Sequence, residues 1–267
     1  SMLDVPSAYE LVSFLEHLSA QGMTIVAFEH REDHLAEIPS LRTLNLEGNG
    51  FPRRRTAVLP SHGSAFPLAG HNGKLTLDDV SVSLSGQPVL NKLNLSISCG
   101  EVTAIVGRNG SGKTTLLRAI AGLQEFSGAI KVDGESAELG IVFQNAEFQL
   151  FNSSVKNEIL YGVKRPDPAL YEWIINALGL REYEHTPPLI LSEGEKKRVS
   201  LGAILMTTPK HGLLLDEPSL GQDASHRKIL VSIARSIAAG GKIVVMTTHD
   251  LHLASEADRL ILLGHDG

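Results

Sequence analysis

Apolar and polar residues follow two patterns from residue 74 onward. The segments KLTLDDVSVSL and LNKLNLSIS have a strand-like pattern. The segments EVTAIV, GLLLDEP and IVVMTTH are short apolar runs typical of buried strands, and TTLLRAIAGL and RKILVSIARSIAAGG read as helices. This order predicts an α/β fold with a parallel core sheet and helices, an antiparallel β layer over 75–100 and 128–133, and an α-helical subdomain from about 146 to 195.

Part of this pattern occurs twice. A shift of 219 positions aligns residues 11–37 with 230–256 and gives eight identities in 27, including His30 with His249. Average amino-acid usage would give about two. Residues 51–73, between the two copies, are rich in Gly, Pro and polar residues and indicate a linker. We therefore expect three segments: 1–50, which repeats the end of a domain, the linker 51–73, and a complete domain over 74–267.

Composition and charge argue against several classes of function. The chain has 267 residues, of which 42% are hydrophobic, and this length fits one large domain or two modest ones. Its net charge of −6 does not favour nucleic acid, and the basic run RRR at 53–55 is typical of a solvated linker. Cys99 is the only cysteine, which suits a reducing cytoplasm. No apolar run approaches the roughly 20 residues that cross a bilayer, so any membrane role is expected to be peripheral.

The segment GRNGSGKTT follows the strand EVTAIV directly and fits the P-loop (Walker A) pattern G-x-x-x-x-G-K-[ST]. Glycines at 107 and 112 let backbone N–H groups turn inward around phosphate oxygens, and the next helix points its positive end at the same charge. Lys113 is expected to contact the β and γ phosphates. Thr114 is expected to hold Mg²⁺.

The strand GLLLDEP ends in two carboxylates. Asp216, at the end of the strand, is placed to bind Mg²⁺ directly or through water, and Glu217 to polarise an attacking water as general base. The alternative, that both are helix-capping acids after a buried strand, is weakened by the phosphate loop upstream.

The segment LSEGEKKRV at 191–199 resembles the signature sequence of ABC-type ATPases. That family carries, in order, a phosphate loop, a Q-loop glutamine, the signature, the acidic strand, a D-loop and a switch histidine, and all six have counterparts within 74–267. The resemblance implies ATP and Mg²⁺ as cofactors. The implied nucleotide-binding residues are Gly107, Asn109, Gly110, Ser111, Gly112, Lys113, Thr114, Thr115, Gln144, Ser192, Gly194 and Asp223; the metal ligands are Thr114, Gln144 and Asp216; and the catalytic residues are Glu217 and His249.

The resemblance also implies a partner. In ABC ATPases two domains face head to tail, and each ATP lies between the phosphate loop of one domain and the signature of the other. Residues 1–50 resemble the last part of a preceding ABC domain, with His30 in the switch position. The chain thus resembles the C-terminal part of a tandem two-ATPase polypeptide, whose second ATPase domain lies in cis. A natural accessory extension over 1–50 is the alternative.

The segment VFQNAEFQLFNSSVKNEILYG at 142–162 resembles ATPases of energy-coupling-factor importers, which move vitamins or metal ions. In that interpretation Phe148, Gln149, Leu150 and Phe151 line a groove for the coupling helix of a transmembrane subunit; alternatively they only pack the helical subdomain. The expected location is the cytoplasmic face of the cell membrane. Contact with the membrane is expected only through protein, and no nucleic acid partner is expected.

Two rival functions stay open at this stage: a non-transport ABC ATPase acting on ribosomes or nucleic acid, and a catalytically inactive nucleotide sensor. About 80 residues separate the phosphate loop from the signature, too few for a long coiled coil of the SMC type. Two residues depart from the family pattern. Leu84 stands where many members stack an aromatic ring on adenine, and Glu193 stands where the family has glycine, with Glu195 at the usual glutamine position. Glu193 predicts that one of the two ATP sites is impaired.

Overall fold

The computed structural model describes residues 73–218 and 224–264, without the side chains of 224–226 and 251. The predicted remnant over 1–50, with His30, lies outside the described residues. So do Asp223 and all of the predicted linker except its last residue, Gly73.

Nine strands are present in the described part of the chain. They are β1 (Lys74–Leu84), β2 (Gln87–Ser98), β3 (Val102–Val106), β4 (Ser127–Val132), β5 (Glu135–Ser136), β6 (Leu139–Val142), β7 (Gly212–Asp216), β8 (Ile243–Thr248) and β9 (Arg259–Leu262). They form an antiparallel sheet in the order β2-β1-β4-β5 and a sheet in the order β6-β7-β8-β3-β9, all of whose pairings are parallel. The predicted α/β architecture of a parallel core and an antiparallel layer is confirmed.

Six α-helices accompany these strands in the described ranges. They are α1 (Lys113–Ile120), α2 (Val155–Leu160), α3 (Pro168–Ala177), α4 (Glu193–Met206), α5 (Ala224–Ala239) and α6 (Leu251–Ala254). Short 3₁₀ turns cover Ala146–Gln149, Arg181–Tyr183 and Pro188–Ile190. The region from 146 to 195 is therefore helical, as its sequence predicts. None of the helices described is long and apolar enough to cross a bilayer.

The central strands explain why the core sheet forms. Every residue of β7 and β8 is buried, because both strands lie inside the sheet and are covered on both faces. One apolar cluster joins the antiparallel layer and α1 to one face of this sheet, and a second joins α5 and the helical subdomain to the other. The pairing of β3 and β7 with β8 brings the carboxyl ends of all three strands to one edge. Ligands of open α/β sheets bind at such an edge.

Candidate nucleotide site

The phosphate loop spans residues 107–112, between the end of β3 and the start of α1. Gly110 and Gly112 have φ angles of +83° and +91°, in the left-handed region that glycine tolerates best. At Gly107 a Cβ would lie 2.6 Å from the carbonyl oxygen of Leu263, so only glycine fits there. The positive φ angle therefore favours glycine at positions 110 and 112, whereas the lack of space for a Cβ requires it at position 107.

The polar groups of this loop suit a polyphosphate. Lys113 is buried, and its Nζ donates hydrogen bonds to the carbonyl oxygens of Gly107 and Arg108 at 2.8 and 3.1 Å. Ser111 Oγ is also buried and has no hydrogen-bond partner among the described residues. A hydroxyl held in this way fits an added phosphate oxygen. Asn109 and Gly110 are exposed, and Thr115 is half-buried one residue after Thr114.

The structure brings two predicted metal ligands together. Thr114 Oγ1 donates to Asp216 Oδ1 at 3.0 Å, and Thr247 Oγ1 donates to the same oxygen at 2.8 Å. Burial raises the pKa of Asp216, whereas the two hydroxyl donors oppose that rise. Hydroxyl and carboxylate oxygens are the ligands that Mg²⁺ prefers. Gln144, the third predicted ligand, is half-buried and lies two residues after β6, which pairs with β7.

Among the described residues, no group of three or more Asp, Glu, His or Cys side chains lies close enough together to hold a metal ion. This is compatible with Mg²⁺, which is usually bound by one or two carboxylates together with substrate phosphates. The residues present therefore fit Mg²⁺ carried by a nucleotide.

Glu217 and His249 form a contact that the sequence does not predict. Glu217 Oε2 lies 2.9 Å from His249 Nδ1, and the His249 backbone N–H donates to the same oxygen at 3.3 Å. Glu217 has a φ of +46°, which is uncommon for a non-glycine residue. Its N–H donates to the carbonyl and hydroxyl oxygens of Thr247 at 3.1 and 3.2 Å. This backbone turn directs the carboxylate toward the histidine.

The signature sequence forms the start of α4. Ser192 is the N-cap, and its N–H and hydroxyl both donate to Glu195 Oε2, at 2.8 and 2.7 Å. Glu195 is consequently buried, whereas Ser192 and Glu193 are exposed and Gly194 is half-buried. A capping box of this kind satisfies backbone donors that would otherwise be free at the helix start. Glu195 is thus a partner of Ser192 as well as a second acid in the signature.

The predicted groove over 148–151 needs a correction. Phe148 and Phe151 are 81% and 62% exposed, but Leu150 is buried in the core. The amide of Gln149 is directed inward: it accepts from the N–H of Phe143 and donates to the carbonyl of Ile141. Leu150 follows the Asn145-capped 3₁₀ turn in an extended conformation and is buried, whereas Phe148 within the turn and Phe151 after it are not. Only the two phenylalanines offer an apolar surface.

Two further residues contact the predicted site residues without carrying a motif signal. Thr247 bonds to both Asp216 and Glu217, and Lys197 Nζ donates to the Glu217 carbonyl at 3.3 Å. Thr247 is the second-last residue of the buried strand β8, two residues before His249, and this position near the carboxyl end of the strand is the only signal that the sequence offers for it. Lys197 lies within a helix rich in charged residues, and nothing in the sequence distinguishes it from its neighbours.

Comparison with known proteins places this geometry in a family. A protein-family model described as "ABC transporter" matches residues 90–220. The chain is 31% identical, over 201 residues, to an energy-coupling factor transporter ATP-binding protein of Thermotoga maritima. The alignment covers 70% of this chain and 77% of that protein. The chain belongs to the ABC transporter ATP-binding proteins. Its described residues form an ABC ATPase domain, a type of domain that binds and hydrolyses ATP.

Two other relatives extend the comparison of this ABC protein. It is 35% identical over 282 residues to an ABC transporter ATP-binding protein of Methanosarcina acetivorans, with 97% of this chain and 44% of that protein covered. The chain therefore spans less than half of that relative. The solved structure of cbiO1 from Clostridium perfringens, described as part of the ABC transporter complex cbiONQ, matches this chain with a TM-score of 0.62 and 29% identity, covering 72% of this chain and 85% of that one.

Proposed function

We propose that the chain is an ATP-hydrolysing subunit that powers an ABC importer of the energy-coupling-factor type, at the cytoplasmic face of the membrane. The observation that carries the catalytic part is one connected set of contacts. The phosphate-loop residue Thr114 bonds to Asp216, and the next residue, Glu217, lies against His249. Phosphate, metal and water-activating groups therefore meet at one edge of the parallel sheet.

Each residue has a role that follows from its contacts. Lys113 and the N–H groups of the phosphate loop would bind the β and γ phosphates, while Thr114, Asp216 and Gln144 would hold Mg²⁺. Mg²⁺ supplies charge neutralisation for the phosphate oxygens. Glu217 accepts the proton of the attacking water, because a carboxylate oriented by a neighbour is suited to general-base catalysis.

His249 orients that carboxylate through its ring nitrogen and backbone N–H. We also propose that it contacts the γ-phosphate, which is the role that the family resemblance gives it. Both functions require the histidine to stay at the carboxyl end of β8. The Glu217–His249 contact is thus part of the proposed catalytic geometry.

A second ABC domain completes the proposed sites. Ser192 and Gly194 of one domain would contact the nucleotide bound to the other, and Asp223 would act at the same interface. We propose that residues 1–50 are the end of such a domain within the same polypeptide. The internal repeat supports this proposal, as does the relative that is more than twice as long as the aligned chain.

The proposed transport partner is a transmembrane coupling subunit. Phe151 stacks edge to face on Tyr161 with ring centroids 4.7 Å apart, and Tyr161 is 60% exposed. Phe148, three residues before Phe151, is exposed as well. We propose that these exposed rings bind the apolar face of a partner helix. The Thermotoga and Clostridium relatives, each described as a transporter component, support the importer assignment.

Co-purification tests the importer assignment. The tagged full-length protein is expected to recover an integral membrane protein, and Phe148→Glu with Phe151→Glu is expected to abolish that recovery. Leu123→Glu is the matched control, since Leu123 is also exposed but lies after α1. Recovery of ribosomes or nucleic acid without a membrane protein would contradict the proposal.

The catalytic part of the proposal has a separate test. Unaltered turnover of ATP in Glu217→Gln would support an inactive nucleotide sensor instead.

A further inference from the structure

Lys197 is a buried cation in the second turn of α4, with 7% of its surface exposed. Burial lowers the pKa of Lys197 to about 8, against the opposing effects of Glu193, Glu217 and Asp216. Burying an ammonium group is unfavourable unless hydrogen bonds compensate it. An apolar residue would fill the same space at lower cost. The lysine at this position therefore calls for an explanation beyond packing.

Its ammonium group contacts the backbone of the proposed catalytic residue. Lys197 Nζ donates to the Glu217 carbonyl oxygen at 3.3 Å, across 20 positions of sequence. On the other side of the same residue, the Glu217 N–H donates to Thr247 of β8. Glu217 is thus held from two directions while its φ is +46°. Such a conformation persists only when surrounding contacts enforce it.

The same helix begins with the signature, about one turn before Lys197. Glu193 is the first residue of α4, and Lys197 follows it by four positions, so the two lie on one face of the helix about one turn apart. Ser192 caps the helix immediately before them. A single rigid turn of helix therefore separates the groups proposed to meet a neighbouring domain's nucleotide from the group that holds Glu217.

We propose that Lys197 is a positioning residue, which couples engagement of the signature to the orientation of Glu217 in the same domain. The inference rests on the proposed ATPase function, because it assigns Lys197 a part in that reaction. When α4 shifts toward a partner's nucleotide, its second turn moves with it, and the lysine transmits that shift to the Glu217 carbonyl. Events at one ATP site thereby change the general base of the other.

The matched control is Lys196, the adjacent lysine on α4, which is similarly buried and forms an ion pair with Glu147 rather than contacting Glu217. Lys197→Met is expected to lower kcat of the 267-residue chain at least tenfold, because small misplacements of a catalytic group are costly. Its KM and its affinity for Mg-ATP should stay within about threefold of the parent values. Lys197→Arg, which keeps a cationic donor, should retain more turnover than Lys197→Met.

Turnover equal to the parent in Lys197→Met, or equal losses of kcat in the Met and Arg variants, would overturn the inference. So would an equal loss of kcat in Lys196→Met. A second measurement does not depend on hydrolysis. The ¹⁵N chemical shift of the His249 Nδ1 atom, assigned with His249→Ala, should change in Lys197→Met and not in Lys196→Met, since Glu217 Oε2 lies against that nitrogen.

An unchanged His249 signal in Lys197→Met would also reject the inference. A Glu193→Gly chain that binds Mg-ATP without hydrolysing it would instead count against the proposed function, while the His249 signal would still decide whether Lys197 positions Glu217. The two failures are therefore distinguishable.

Discussion

Thr114 Oγ1 donates a hydrogen bond to Asp216 Oδ1 at 3.0 Å, although 102 residues separate the two along the chain. The bond joins the first turn of α1 to the end of β7 and so connects the phosphate loop to the acidic strand. Because Thr247 donates to the same oxygen, Asp216 is oriented from both sides. An oriented carboxylate beside a hydroxyl is a preformed place for a nucleotide's metal ion.

Asp216→Asn tests this metal site. The amide keeps the shape of the side chain but lacks its charge, so we expect ATP affinity to lose most of its dependence on Mg²⁺. In the parent chain, removing Mg²⁺ with EDTA should weaken ATP binding about tenfold or more, as measured by titration with a fluorescent ATP analogue. Asp78→Asn, an exposed change in β1, is the control and should behave like the parent. An equal response to Mg²⁺ in Asp216→Asn would show that the metal binds elsewhere.

Glu193 is expected to slow hydrolysis by homodimers of this chain, since both of their sites would use LSEGE. Glu193 is exposed at the start of α4. A like-charge contact at about 5 Å with an effective dielectric near 20 costs roughly 3 kcal/mol. Glu193→Gly should therefore raise the steady-state ATPase rate at least tenfold.

Glu195→Gln provides a comparison within the same motif. The glutamine side chain keeps an oxygen that can accept from the Ser192 N–H, but it lacks the negative charge of the carboxylate that accepts from both the Ser192 N–H and its hydroxyl. We therefore expect a smaller increase in the ATPase rate than for Glu193→Gly. Rapid turnover in the parent chain, or no gain from glycine at 193, would contradict the idea of two unequal sites.

Leu84→Tyr is expected to strengthen ATP binding. Leu84 ends β1 and is 41% exposed, and the next strand brings Val89 and Leu90 to about 3 Å from where a Cβ on Gly112 would lie. The first part of β2, where Gln87 pairs with Leu84, thus lies close to the phosphate loop. Stacking of an aromatic ring on a base is worth about 1 to 3 kcal/mol, or roughly 5- to 150-fold in affinity.

Equilibrium titration of ATP against inorganic triphosphate separates this base effect from phosphate binding. Leu84→Tyr should improve binding of ATP alone, because triphosphate has no base to stack. Leu123→Tyr, which adds a ring at another exposed leucine, should change neither affinity. A gain for both ligands would indicate a general effect on the loop.

The buried Lys197 is expected to make the free energy of unfolding depend on pH. Burial lowers its pKa from 10.5 to about 8, so between these values the unfolded chain binds a proton that the folded chain does not. The free energy of unfolding should therefore rise as pH increases from 8 to 10.5, by about 2 to 3 kcal/mol from this group. Urea unfolding without Mg²⁺, compared between the parent and Lys197→Met at pH 7.5 and 10, isolates the contribution. A constant difference between the two proteins would refute it.

Short-range patterns account for most of the fold. The apolar runs at β3, β7 and β8 predict buried strands because these strands are covered on both faces. The phosphate loop also follows a local sequence pattern, and the positive φ angles of Gly110 and Gly112 are local properties of its backbone. Gly107 differs, because the carbonyl of the distant residue Leu263 leaves no room for a Cβ there.

Tertiary contacts limited the rest of the prediction. Whether Leu150 faces the core depends on how a 3₁₀ turn is oriented against the sheet, and no local pattern in FQLF fixes that orientation. Lys197 likewise reaches Glu217 only because α4 packs beside the end of β7. Glu195 lies within the predicted signature, but its capping contact with Ser192 depends on where the helix begins.

The left-handed backbone conformation of Glu217 lowers the stability of this domain while it directs the proposed catalytic carboxylate. A residue with a side chain at φ +46° carries strain of about 1 to 3 kcal/mol, which glycine or asparagine would relieve in part. Directed evolution of this chain for heat resistance alone should therefore enrich Gly or Asn at position 217. Such thermostable variants would fold well but would lack the general base proposed for ATP hydrolysis.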